Sequence, residues 1–159
     1  MKSEDDWRRI ERRNELWPDA NSVVYRAGNG LARTPRTVPL VAALIDELSP
    51  NRERSGRLYM TLWAHEEDGF VEVSDPEQIA FEAGYWTSRA TRTFEERVDQ
   101  LVSLGFVRQE SDGIRSCGFV LLLDPHLAVQ KVHAFDATKI PQRWLKVFEK
   151  RCRAIGVKL

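Results

Sequence analysis

The sequence predicts a mainly α-helical chain with a small β-hairpin, an α+β fold with helical extensions at both ends. Three observations predict it. Apolar residues recur three and four apart in several separate stretches, the period of a helix with one buried face. Proline, glycine or a side chain suited to capping stands at the ends of most of those stretches. Strand-like runs occur at only three places, FVEV (70–73), FVRQ (106–109) and IRSCGFVLLL (114–123).

Residues 1–20 alternate charges with Trp7, Ile10, Leu16 and Trp17. The positions 7, 10 and 17 fit one helix face, and Pro18 stops the helix. The first six residues are expected to be mobile, and Trp7 and Trp17 read as packing anchors. RAGNGLARTPRTVP (26–39) carries two glycines and two prolines and reads as an ordered or semi-ordered loop. In PLVAALIDELS (39–49), Leu40, Ala43, Leu44 and Leu48 form a stripe, Pro39 suits the first turn, and Ser49-Pro50-Asn51 ends the helix. GRLYMTLWAHEE (56–67) is a further helix with Leu58, Tyr59, Leu62 and Trp63 on its apolar face, closed around Asp68-Gly69.

After the short strand at 70–73 comes SDPEQIAFEAG (74–84). Ser74 or Asp75 caps this helix. Glu77 lies three after Ser74 and Gln78 three after Asp75, so either register makes a capping box. Ile79, Ala80 and Ala83 are its buried side, and Gly84 ends it with a left-handed residue. GYWTSRATRTFEERVDQLVSLG (84–105) is the next helix, capped by Thr87 or Ser88. Ala90, Phe94, Val98 and Leu101 fall on one face, flanked by Val102 and Leu104, while Arg89, Arg92, Glu96, Asp99 and Ser103 fall on the other. Gly105 terminates it. FVRQ, a tight turn at ESDG (110–113) and the run at 114–123 form the hairpin, and Asp124-Pro125 breaks it. Residues 126–135 form a short helix. IPQRWLKVFEKRCRAIG (140–156) is a basic terminal helix with Trp144, Leu145, Phe148 and Cys152 inward. The chain divides into an arm (1–33), a central domain (34–135) and the basic helix (136–159).

Its 159 residues suit about one domain with a core of its own, and 42% apolar with 30% charged residues is ordinary for a globular protein. No run approaches the roughly 18 apolar residues of a membrane span, and the charged N-terminus does not resemble a secretory signal. Cys117 and Cys152 are too few for a disulfide framework, so reduced thiols in a cytoplasmic protein are expected. The 24 basic and 24 acidic residues cancel, which argues against a purely electrostatic nucleic-acid binder. Their distribution is uneven. Residues 21–39 hold Arg26, Arg33 and Arg36 and no acid. Residues 58–84 hold Glu66, Glu67, Asp68, Glu72, Asp75, Glu77 and Glu82 and no Lys or Arg. From 139 onward, seven basic residues face only Glu149. Local fields of this kind, rather than the total, steer a partner.

The order helix, short strand, helix, glycine turn, longer helix, hairpin over residues 56–124 resembles a winged helix-turn-helix. The matching parts are Phe70–Val73 as edge strand, Asp75–Ala83 as first helix, Gly84-Tyr85 as turn, Thr87–Leu104 as recognition helix and Phe106–Leu123 as wing. LVSLGFVRQESDG (101–113) is similar to the end of recognition helices in bacterial regulators. More loosely, TPRTVPLVAALIDELS, RLYMTLWA and VLLLDPHLAV are similar to winged-helix proteins encoded near plasmid and phage replication or partition genes. The resemblance implies a double-stranded DNA-binding protein of the bacterial cytoplasm or nucleoid, acting in transcription regulation or replication, as a homodimer.

The residues themselves support a reading head. Between Gly84 and Phe94 stand Trp86, Thr87, Ser88, Arg89, Thr91, Arg92 and Thr93, with no acid. A recognition helix docks its N-terminal half in the major groove. Arg89 and Arg92 share a face and are suited to bidentate contacts with guanine or phosphate. Ser88 and the first-turn N–H groups are suited to a phosphate oxygen. Arg108 and Arg115 in the wing are placed to touch the DNA backbone, and Arg33 and Arg36 are candidates for an arm. The alternative is a winged-helix adaptor or inhibitor that binds protein instead, since fold does not fix function. No catalytic site is expected: there is no phosphate-binding glycine loop and no Cys-x-x-Cys. His65, His126 and His133 lack metal-ligand spacing and read as surface or half-buried residues. No metal or cofactor is expected.

Overall fold

The computed structural model describes residues 2–26 and 34–159. Among them are eight α-helices: α1 (Glu4–Leu16), α2 (Ala20–Val23), α3 (Val38–Leu48), α4 (Gly56–His65), α5 (Pro76–Glu82), α6 (Ala90–Leu104), α7 (Pro125–Phe135) and α8 (Gln142–Ala154). Three strands, β1 (Phe70–Glu72), β2 (Val107–Glu110) and β3 (Phe119–Leu122), form one antiparallel sheet in the order β1-β3-β2. The fold is mainly helical and α+β.

β3 explains the layering. Phe70 lies opposite Leu121, Val71 opposite Val120, and Val107 opposite Leu122. Side chains alternate across a strand. Val71, Val107, Val120 and Leu122 therefore face the helices α3 to α8, and Phe70 and Leu121 face the other way. That second face is covered by Trp17, Ala20 and Val24 of the N-terminal segment, with Trp17 edge-on to Phe70 at 5.8 Å. The bridge between Val24 and Leu123 and the bond from Asp124 N–H to the Val23 carbonyl (2.8 Å) fasten the segment. Gly69 permits this approach. Its φ is +77°, and a Cβ there would stand 2.8 Å from Val24 Cγ1.

Residues 4–24 are thus a cover for the sheet. The first turn of α1 is ordered: Ser3 and Asp6 form a reciprocal capping box, and Lys2 reaches Asp68 at 3.0 Å. That corrects the expectation of mobility for residues 2–6; Met1 lies outside the described residues. Arg13 is buried, donating to the Asp68 carbonyl and to Asn21 Oδ1 (2.7 Å each), and Arg9 pairs with Glu67. Trp7 and Trp17 part company. Trp17 caps α1 in extended conformation and turns inward, 5% exposed, whereas Trp7 on the helix is 60% exposed.

In the main layer α3 buries Val38, Val41, Ala42, Leu44 and Ile45. The expected stripe is rotated: Ala43 faces solvent and Leu40 and Leu48 are half-buried. The reason is that the buried arc, which meets α4, α6 and α7, centres on Val41 and Ile45, and at 100° per residue Ala43 falls opposite it. Other faces follow the periodicity. α4 buries Leu58, Tyr59, Leu62 and Trp63, and α6 buries Ala90, Phe94, Val98 and Leu101. Asp75, not Ser74, caps α5, accepting from Gln78 N–H at 3.0 Å. α8 buries Phe148 and Cys152 and half-buries Trp144 and Leu145.

His126 is fully enclosed, a correction to the surface reading. Its ring Nδ1 meets Asp124 Oδ1 at 3.1 Å and Nε2 meets the Thr37 hydroxyl at 2.8 Å. Asp124 also caps α7, accepting from the N–H groups of His126 and Leu127. Burial alone would raise the Asp124 pKa. The hydrogen bonds from the His126 ring and backbone outweigh it and hold the carboxyl below its ordinary range.

Replacing Trp17 by Ala is expected to cost about 3–5 kcal/mol in urea denaturation, while Trp7→Ala stays within about 0.5 kcal/mol. Equal effects would contradict the cover described for residues 4–24.

Candidate nucleic-acid interface

Gly84 begins the exposed corner between α5 and α6. Its φ of +90° reverses the chain, and a Cβ there would meet the Arg57 guanidinium at 2.8 Å. The N–H groups of Gly84 and Tyr85 close α5 by bonding the carbonyls of Phe81 and Ala80, each at 2.9 Å. Tyr85 turns half inward, and burial pushes its phenol up to about 12. Trp86 turns outward. It is 68% exposed, its indole N–H donates to the Phe81 carbonyl at 2.8 Å, and its ring leans on the exposed Phe81 at 5.8 Å.

α6 begins at Ala90, three residues later than expected, because Thr87, Ser88 and Arg89 form a turn. Thr87 Oγ1 accepts from Arg89 N–H (3.3 Å), and the Thr87 carbonyl accepts from Ala90 N–H (3.1 Å). Neither Thr87 nor Ser88 caps the helix: Arg89 holds the cap position and no side chain closes it. The first-turn N–H groups of α6 therefore have no side-chain acceptor and carry the positive end of the helix dipole.

Around that end Trp86, Thr87, Ser88, Arg89, Thr91 and Arg92 are exposed and Thr93 is half-buried. The structure brings these residues together on one corner. Among the described residues, the ion pairs do not include Arg89. Arg92 pairs with Glu96 one turn on, at 2.9 Å. An exposed pair of this spacing is worth about 0.3–0.5 kcal/mol, so a phosphate can displace it.

The hairpin arginines are held elsewhere. Arg108 lies opposite Leu121, on the sheet face that the N-terminal segment covers, and it pairs there with Asp19 at 2.9 Å. Arg115 donates to the carbonyls of Val73 (2.7 Å) and Ser74 (3.0 Å) at the end of β1. The expected tight turn is a longer loop, Ser111–Gly118, because Asp112 accepts from the N–H groups of Ile114 (2.9 Å) and Arg115 (2.6 Å) and folds the chain back. Ile114 is 92% exposed. Arg36 is exposed, and Arg33 lies outside the described residues.

The two thiols and the His126 cluster lie in the core. Burial, followed by the nearby charges of Asp99 and Glu95, pushes the Cys117 thiol up to about 12; burial and Asp124 push Cys152 up to about 11. Neither forms a thiolate nucleophile readily. Thr37, His126 and Asp124 have the order of a hydroxyl–imidazole–carboxylate relay, a grouping that their sequence positions do not signal. The Thr37 hydroxyl is sealed in the core at 0% exposure, so the relay ties the start of α3 to the start of α7. Among the described residues no three His, Cys, Asp or Glu side chains group as metal ligands, and no helix is long and apolar enough to cross a membrane. Comparison with family models, curated proteins and solved structures finds no match to this chain.

Hydrogen bonds from the N–H groups of Arg115 and Ile114 hold the Asp112 carboxyl below its ordinary value of 3.8. A lowered folded pKa contributes stability above the unfolded value and loses it as pH falls through the folded one. The amide resonances of Ile114 and Arg115 are therefore expected to titrate only below about pH 3.8 and to lose that step in Asp112→Ala. A step near neutral pH would count against this account of the loop.

Proposed function

We propose that the chain is a sequence-specific double-stranded DNA-binding protein of winged helix-turn-helix type. In this reading α5 and α6 are the helix pair, Gly84–Arg89 the turn, and β2–β3 with its loop the wing. The observation that carries it is the uncapped N-terminus of α6, ringed by Ser88, Arg89, Thr91 and Arg92, in a stretch without acids from Ala83 to Phe94. A duplex phosphate fits the N–H groups of Thr91 and Arg92, and Arg89 and Arg92 reach base edges or flanking phosphates. Trp86 packs against the sugar–phosphate edge. The wing contributes through its backbone and Ile114, since Arg108 and Arg115 are engaged within the protein. The output is transcription regulation or replication, and the chain works in the cytoplasm without cofactor or catalysis. A second copy would set two α6 helices about one duplex turn apart on a near-palindromic site.

A second reading, a protein-binding adaptor or inhibitor, is favoured by the exposed Phe81–Trp86 pair, which lies on α5 and its turn beside Glu77 and Glu82. An apolar pair rimmed by acids suits a protein partner better than a polyanion.

Fluorescence anisotropy separates the two. DNA from the chain's own promoter region, titrated against an unrelated duplex, is expected to bind in a salt-sensitive manner. Arg89→Ala and Arg92→Ala are each expected to cost about 1–3 kcal/mol of specific binding. Wild-type affinity in both variants would move the site off α6. Lost capture of a protein partner in Phe81→Ala, with duplex binding absent, would favour the adaptor.

A further inference from the structure

We infer that the outer face of α8 is a second polyanion-binding surface, one that tracks the phosphate backbone of a duplex without reading sequence. At 100° per residue, Arg143, Lys146, Lys150 and Arg153 fall within one arc of the helix, and all four are exposed. Phe148 and Cys152 point the opposite way into the core. The helix is fixed in place. The Trp144 indole N–H donates to the Leu40 carbonyl at 3.2 Å, Trp144 stacks on Phe148 at 4.9 Å, and Phe148 packs on the His126 ring at 6.0 Å. The stripe is therefore a rigid row of charge rather than a tail.

Two features bear on its use. The first is the density of its unpaired cations. Among the described residues, arginines 8, 9, 12, 92, 97, 108 and 115 have a carboxylate partner, and Arg26, Arg36, Arg54, Arg57 and Arg89, which have none, are spread over other parts of the chain. Among those same residues no basic side chain of α8 has one, and the only acid of the helix is Glu149. In a chain of net charge zero, this helix gathers a row of four exposed cations with Glu149 as its one acid. The second is its length. From Arg143 to Arg153 the helix advances about 15 Å, long enough for the row to meet more than one phosphate.

The chemistry favours a duplex over a lipid surface. A basic amphipathic helix binds a membrane by burying its apolar face among acyl chains. Here that face is already occupied by the protein core, and Val147, at 49% exposure, is the one large exposed apolar side chain of α8. Charge alone remains, which is what phosphate tracking needs. This inference does not rest on the role assigned to α6, because it concerns sequence-independent binding.

The test uses the full chain and a random-sequence duplex of about 30 base pairs, by fluorescence anisotropy over a salt series. The fourfold variant Arg143→Gln, Lys146→Gln, Lys150→Gln, Arg153→Gln is expected to bind at least tenfold more weakly at low salt. Its slope of log K against log salt is expected to fall by about 3 to 4, close to one for each phosphate that no longer meets a cation. Lys146→Arg with Lys150→Arg keeps the charge and is expected to bind like wild type. Circular dichroism and melting of each variant verify the fold, which exposed substitutions leave intact. An unchanged slope in the fourfold variant, or no wild-type binding at low salt, would overturn the inference. So would a variant that loses binding to vesicles containing phosphatidylserine while duplex binding is unchanged.

Discussion

The structure depends on β3 being buried on both faces. Four residues, FVLL, place Val120 and Leu122 against the helices and Leu121 against the N-terminal cover, with Phe119 half-buried beside it. A central strand of this kind can stay in water only if both sides are covered. One side belongs to α3 to α8. The other would leave Phe70 and Leu121 in solvent, and Trp17, Ala20 and Val24 remove them from it. Fully burying one such side chain contributes about 1.5–3 kcal/mol, so the segment before residue 25 is part of the fold.

That cover also sorts the charges. Once α1 and α2 lie over the sheet, the acids and bases along its rim meet: Arg9 with Glu67, Lys2 with Asp68, Arg108 with Asp19. Arg13 goes deeper and binds carbonyl and amide oxygens, which a guanidinium with five donors can satisfy where an ammonium would not. Cations near the sheet are consumed by the protein itself. Among the described residues Arg89 and the cations of α8 have no ion pair, and Arg92 has only the exposed Glu96. The basic surface is therefore a remainder, set by which charges the packing neutralises.

α6 joins these two levels. Its inner face, Ala90, Phe94, Val98 and Leu101, is anchored in the core, and this fixes the direction of its N-terminus. The turn Thr87–Arg89 then leaves that end without a side-chain cap. A cap is worth about 1 kcal/mol to a helix, so this end goes without that stabilisation. The polar corner is precise because the apolar face behind it is rigid.

Much of this was legible in the residues. The apolar faces of α4, α5, α6 and α8 followed from a period of 3.6, and Asp75, Gly84, Gly105 and Asp124-Pro125 marked ends through local backbone chemistry. These signals act within one turn of chain, so a linear reading captures them. The exposed corner from Trp86 to Arg92 was also legible, since it needs only a helix face and a missing acid. Other features needed partners remote in sequence. Ala43 turned outward because the neighbours of α3 lie on the side of Val41 and Ile45. Trp17 went in and Trp7 stayed out because only one faces Phe70. Arg108 and Arg115 found acceptors at Asp19, Val73 and Ser74, and His126 found Thr37, none of which their own neighbourhoods announce. The sequence by itself determined most of the helices and strands and the apolar faces of α4, α5, α6 and α8, because hydrogen bonding and periodicity are local. Only the tertiary structure decided which charges remain unpaired, because neutralisation depends on distance in space.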